Sequence, residues 1–195
     1  SNLLGSDNIS GGGLGTGELF NAGKALVQGL ELSANYLFAL KKFKNLSLPL
    51  QMSYTYTYAT FSETFINGGG DWGSGQITRG DNIPFITPHL LSGSVGLEHK
   101  KWSALFSSNY VGDTRTSPGQ NDLVFATSNQ NATLVNCIEA FTIMDFSFNF
   151  HFNNQWSAYF TMQNLTNNMA IVANLPQGYR SALPRALLLG FKLKL

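Results

Sequence analysis

The sequence predicts an all-β protein, and more narrowly an antiparallel transmembrane β-barrel wall. Three observations carry that prediction. Apolar side chains recur at every second position in seven separate segments. In a strand, successive side chains point to opposite faces, so each segment is a ribbon with one apolar and one polar side. No comparable stretch has helical spacing, and no apolar run reaches the roughly 18 residues of a membrane-crossing helix. Short and long connections also alternate strictly, which a soluble sandwich has no reason to do. An outer-membrane barrel does so because its periplasmic turns are short and its external loops long.

The first ribbon sets Leu30, Leu32, Ala34, Tyr36, Phe38 and Leu40 against Glu31, Ser33 and Asn35, with Leu37 the one exception. The second sets Leu48, Leu50, Met52, Tyr54, Tyr56 and Tyr58 against Gln51, Ser53, Thr55 and Thr57. In the third, Leu91, Gly93, Val95 and Leu97 oppose Ser92, Ser94, Gly96 and Glu98. The fourth opposes Trp102, Ala104, Phe106, Ser108 and Tyr110 to Ser103, Ser107 and Asn109. The fifth, "FSFNFHFN", places Phe146, Phe148, Phe150 and Phe152 against Ser147, Asn149 and His151. The sixth has Trp156, Ala158, Phe160 and Met162 on its apolar side, and the last has Leu187, Leu189, Phe191, Leu193 and Leu195.

Short links at "KKFKN" (41–45), "HKK" (99–101) and "NN" (153–154) alternate with long loops at 66–85, 117–137 and 168–183. With the long loops outside, the last strand runs inward and its end is periplasmic. The first strand also runs inward, and residues 1–23 become the tail of another external loop. Cations sort along the same axis. Arg79, Arg115, Arg180 and Arg185 fall in or beside the long loops, whereas every lysine except Lys24 lies at the short-turn end.

Composition narrows the function. A net charge of +1 removes nucleic acid as an electrostatic partner. The single cysteine, Cys137, excludes an internal disulfide and a cysteine-rich metal site. The opening "SNLLGSDNISGGG" is polar, so a secretory signal is absent or was removed. "GGGLGTG" (11–17) lacks the spacing of a nucleotide-binding loop. Seven strands leave unpaired edges that lipid cannot satisfy, so the chain is expected to be part of a larger barrel with its missing strands upstream.

At this point the residues resemble a family. "QNLTNN" (163–168) looks like the asparagine-leucine motif of TonB-dependent outer-membrane receptors, and "LPRALLLGFKLKL" (183–195) resembles their terminal strand, although Leu195 departs from the usual final phenylalanine. "GDNIPFITPHLLSGSVGLEHKKWSALFSSNYVGDTRTSPGQ" (80–120) is similar to the ferric-dicitrate receptor branch. The resemblance covers residues 24–195, which would be the last seven strands of a barrel that has 22 in this family. It implies a bacterial outer-membrane receptor for TonB-energised uptake of a ferric chelate, ferric dicitrate first. It implies no enzyme and no cofactor. TonB would act through an N-terminal plug that these residues do not include. A passive porin, or a receptor for another siderophore, haem or metal chelate, is the alternative.

Because ferric citrate is anionic and arginine binds carboxylates in a bidentate fork, Arg79, Arg115 and Arg180 are the ligand candidates. Their bland counterpart is pairing with Asp81 or Asp113, or with lipopolysaccharide phosphates. Trp102 and Trp156 open strands just after short turns, Phe152 ends one, and Tyr110 closes another. Trp102, Phe152 and Trp156 fit an inner membrane girdle, and Tyr110 an outer one. Trp72 stands among loop glycines, where it could cap the vestibule or touch ligand. His89, His99 and His151 have no metal-ligand spacing. A catalytic grouping of His151, Ser157 and Asp145 lacks a matching level on the strands.

Overall fold

A computed structural model describes residues 2–6, 19–40, 43, 45–68, 74–120, 123–125, 135–173 and 178–194. Trp72, the glycine run 11–17, Lys41, Lys42, Lys44 and Leu195 lie outside the described residues.

In chain order the strands are β1 (Asn2–Ser6), β2 (Leu19–Ala39), β3 (Leu46–Phe61), β4 (Phe65–Gly68), β5 (Ser74–Ile77), β6 (His89–His99) and β7 (Trp102–Val111). They continue with β8 (Thr114–Arg115), β9 (Cys137–Ile138), β10 (Phe141–His151), β11 (Trp156–Gln163), β12 (Ile171–Ala173), β13 (Arg180–Ser181) and β14 (Ala186–Leu193). One 8-stranded sheet has the order β1-β2-β3-β6-β7-β10-β11-β14, and every pairing in it is antiparallel. The seven alternating ribbons of the sequence are the last seven strands of this sheet. The eighth, β1, falls in the segment 1–23 expected to be loop, and β2 begins at Leu19 inside that same segment.

Register makes the two faces continuous. A single row crosses seven strands through Tyr36, Leu50, Val95, Phe106, Phe146, Met162 and Leu187. The neighbouring row on the other face reads Asn35, Gln51, Ser94, Ser107 and Asp145. A one-residue slip anywhere would mix these rows, so the alternation itself fixes the register. Among the described residues nothing covers the apolar face: Leu32 is 55% exposed, Leu189 73% and Phe191 67%. A soluble protein does not leave so broad an apolar surface in water. Lipid is the solvent that matches it.

The short turns are tight and locally satisfied. Asn45 sits at φ 62 between β2 and β3, a conformation that asparagine tolerates, and Leu40 N donates to Leu46 O at 3.1 Å. Asn153 Oδ1 accepts from Gln155 N and Trp156 N, at 2.9 and 2.8 Å, to close the turn into β11. At the opposite end the strands overshoot. β2 has 21 residues and β3 has 16, against the 9–11 that cross a bilayer. Because Ala39 and Leu46 already flank a turn, the surplus stands above the membrane on the loop side.

The buried core sits there too. Ala25, Ala59, Phe61, Ile77 and Ile83 form it, with Phe65 and Ile86 packed against them. Ala25 and Phe61 are cross-strand partners on the polar-face parity, so the β4-β5 loop leans inward over the mouth of the barrel. Further down that inner face Gly190 opposes Tyr159, whose ring occupies the space a Cβ at 190 would need. The eight strands do not close, and β1 and β14 pair with no further described strand. In lipid such edges require partners, so these strands are one section of a larger wall.

Candidate ligand vestibule at the loop end

The long loops are held in place by backbone and amide chemistry. Asp81 is the centre of one knot: its Oδ2 accepts from Thr78 N at 2.8 Å and its Oδ1 from Gln120 Nε2 at 3.1 Å. Its own carbonyl accepts from Phe61 N at 2.9 Å. Gly80, at φ 94, makes the preceding turn possible and donates to Phe61 O. Asn82 then bridges to Gly119 through both its backbone N and its Nδ2, at 3.2 and 3.3 Å. Phe85 adopts φ 61, which is costly for a large side chain, and its N–H donates to Arg115 O at 2.8 Å. The segment "GDNIPF" therefore ties the top of β3 to the loop after β7.

A second knot gathers the "NLTNN" residues. Asn164 is 3% exposed at φ 49. Its Nδ2 donates to Asn168 O and Leu183 O at 2.9 and 2.7 Å, and its Oδ1 accepts from Asn168 N at 2.8 Å. Asn164 N donates to Asp145 Oδ1 at 2.8 Å, Asn168 Nδ2 to Thr142 O at 3.1 Å, and Arg185 N to Asn167 Oδ1 at 2.9 Å. These bonds join β10, β11 and the approach to β14. In the sequence both motifs stand out only by their resemblance, whereas in the fold their side chains are clamps between loops. The signal was present: asparagine repeated beside a strand end is the residue type that tolerates left-handed backbone and bonds its own loop.

The three candidate arginines stand on three different loop elements. Arg79 is exposed, in the turn after β5, with its N–H on Thr64 Oγ1 at 3.0 Å. Arg180 is exposed in β13. Arg115 is half-buried in β8 and lines a cavity of about 420 Å³ together with Tyr56, Tyr58, His89 and Tyr110. Trp102 and Trp156 lie at the turn end of the apolar face, Phe152 beside them, and Tyr110 at the loop end. His151 and Ser157 are cross-strand partners, but Asp145 lies further along β10, engaged by Asn164.

The inner wall below the loops is a trough of about 380 Å³ lined by hydroxyls and amides, among them Ser33, Asn35, Gln51, Ser53, Ser92 and Asn109. Ser53 Oγ and Ser92 Oγ share a hydrogen bond of 2.6 Å. Such a surface offers hydrogen bonds in both senses and no net charge.

Residues 1–165 match the family model described as "TonB dependent receptor-like, beta-barrel". The chain belongs to this family. No curated protein and no solved structure matches it. The receptor wall is thus a section of an outer-membrane β-barrel from a family of transporters.

Cys137 of the receptor is 1% exposed in β9, with Sγ donating to Ile138 O at 3.4 Å. Burial first, then the nearby Asp113 carboxylate, pushes its thiol from 9.0 up to about 11. A rise of that size cuts the thiolate population about 100-fold at pH 8. Alkylation by iodoacetamide should therefore run at least about 100-fold slower in folded receptor than in urea-unfolded receptor. Equal rates would mean that the β8-β9 loop opens freely.

Proposed function

We propose that the chain supplies wall and external loops to a receptor that takes up an anionic ferric chelate with energy from TonB, ferric dicitrate being the specific ligand. The supporting observation is that the β4-β5 loop, packed on inner-face residues through Ile77, leans over the mouth while Arg79 beside it stays exposed. Arg79 and Arg180 are the contacts assigned to the chelate. Arg115, half-buried beside tyrosines of outer-face parity, is the weakest of the three for that role. The choice of dicitrate comes from the resemblance of residues 80–120, although "GDNIPF" within it is engaged in joining loops. Trp102, Phe152 and Trp156 are assigned to the inner girdle and Tyr110 to the outer one. External lipopolysaccharide and periplasmic TonB, reached through a plug, complete the partners.

Deleting the gene should abolish growth on ferric citrate as sole iron source, and normal growth would refute dicitrate. In the inserted full-length receptor, Arg79→Ala with Arg180→Ala should weaken ferric-dicitrate binding at least roughly tenfold, about 1.4 kcal/mol. Unchanged affinity would remove both arginines from the site. Loss of growth on haem or another siderophore instead would move the receptor to that ligand.

A further inference from the structure

Between β3 and the segment entering β6 the ladder is interrupted. Thr57 N donates to Pro88 O at 2.9 Å and Ile83 N to Ala59 O at 3.1 Å, so residues 84–87 bulge away from β3. The cavity of about 420 Å³ lies at this interruption. Tyr56, His89 and Tyr110 reach it from the lipid-facing parity, since Tyr56 pairs with His89 and Tyr110 with Leu91. Ile86 and Leu123 give it apolar lining, and Arg115 and Asp113 give it charge. The aromatic set is ordered: Tyr54 Oη and His89 Nδ1 are 2.8 Å apart, and the Tyr56 and His89 rings are centred 5.1 Å apart. Asp113 Oδ1 is engaged by Ala140 N at 2.7 Å, which turns that carboxylate oxygen to backbone.

We propose that this cavity holds the phosphorylated headgroup of an outer-leaflet lipid, with the Arg115 guanidinium on the phosphate and Ile86 and Leu123 against the start of an acyl chain. The location fits, because the cavity continues the lipid-facing rows at their loop end, where headgroups lie. So does the chemistry: guanidinium matches phosphate with a two-point fork, and imidazole and phenol groups suit an interface that is polar on one side and apolar on the other. Thr57 and Ala59, of inner-face parity, also line the cavity, so it occupies the gap in the wall between the two faces. The inference depends on the barrel orientation but not on the identity of the transported ligand.

The test is native mass spectrometry of full-length receptor in detergent with added diphosphorylated lipid A. Wild type should retain the lipid and Arg115→Gln should lose at least roughly fivefold in occupancy, while Arg79→Gln retains it. Dephosphorylated lipid A should not be retained, and millimolar inorganic phosphate should not displace the lipid. Equal retention by Arg115→Gln, retention of the dephosphorylated lipid, or displacement by free phosphate would each overturn the proposal. Should Arg115→Gln fail to insert, Leu123→Glu places a carboxylate in the lining and leaves the guanidinium intact. It should also lower occupancy, and wild-type occupancy in that variant would count as refutation.

Discussion

Receptor carrying Phe146→Arg should fail to insert, or should insert with about 2–4 kcal/mol less stability. The register sets the depth. Between the Trp102–Phe150 row at the turn end and Tyr110–Thr142 at the loop end, β7 and β10 share three outer-face rows, and Phe106–Phe146 is the middle one. Phe146 also pairs with Met162, and its ring centre lies 6.4 Å from that of Phe160, so no polar neighbour stands beside it on that side. A guanidinium there is farthest from water at either end. Phe150→Arg, in the turn-end row, should cost only about 0–1 kcal/mol, because the long side chain can reach the interface. Ser147→Arg, one residue along but on the inner face, is the control and should insert normally. Urea unfolding of the three variants in lipid vesicles gives the ordering. A flat response across Phe146 and Phe150 would mean that this face does not contact lipid.

The faces were legible in the sequence for a simple reason. A strand's side-chain period is two, and when one side meets lipid and the other a hydrated lumen, each position reports its own environment. All seven ribbons kept their parity, down to the stray Leu37, which pairs with Pro49 on the inner side. What the sequence concealed were elements too short to have a period. The pairs β4-β5, β8-β9 and β12-β13 have strands of two to four residues. Over so few residues alternation carries no information, and these ribbons exist because the loops around them are tied down. The start of β2 was hidden differently. "LFNAGKALVQG" (19–29) does not alternate cleanly, since above the bilayer neither face meets lipid and the constraint that writes the pattern is gone. The arginines show the same limit: loop membership tells at which end of the strands they lie, but segments without a period do not tell which face each approaches.

Asn164→Ala should destabilise the folded receptor by about 3 kcal/mol, the largest effect expected of any loop substitution here. The side chain is buried and makes three hydrogen bonds, so truncation leaves the Asn168 N–H and the Asn168 and Leu183 carbonyls without those partners in a site sheltered from water. Alanine must also adopt φ 49, which adds roughly 1 kcal/mol of backbone cost that asparagine largely avoids. The two contributions separate by substitution. Asn164→Gly removes the same hydrogen bonds but accepts the left-handed backbone, so it should lie about 1 kcal/mol above alanine in stability. Asn164→Asp keeps the acceptor for Asn168 N and the local shape. It replaces the donor with a carboxylate oxygen facing two carbonyls, with Asp145 close by on the backbone of the same residue. It should therefore be no better than alanine at neutral pH and should recover as the pH falls and that carboxyl gains a proton to donate. Urea midpoints at pH 7.5 and pH 4.5 read both comparisons. The strand most affected is β14, whose approach is held at Leu183 O by Asn164 and at Arg185 N by Asn167. If alanine and wild type unfold together, β14 docks through its strand pairing with β11 alone, and the asparagine cluster is a consequence of the fold and no cause of it.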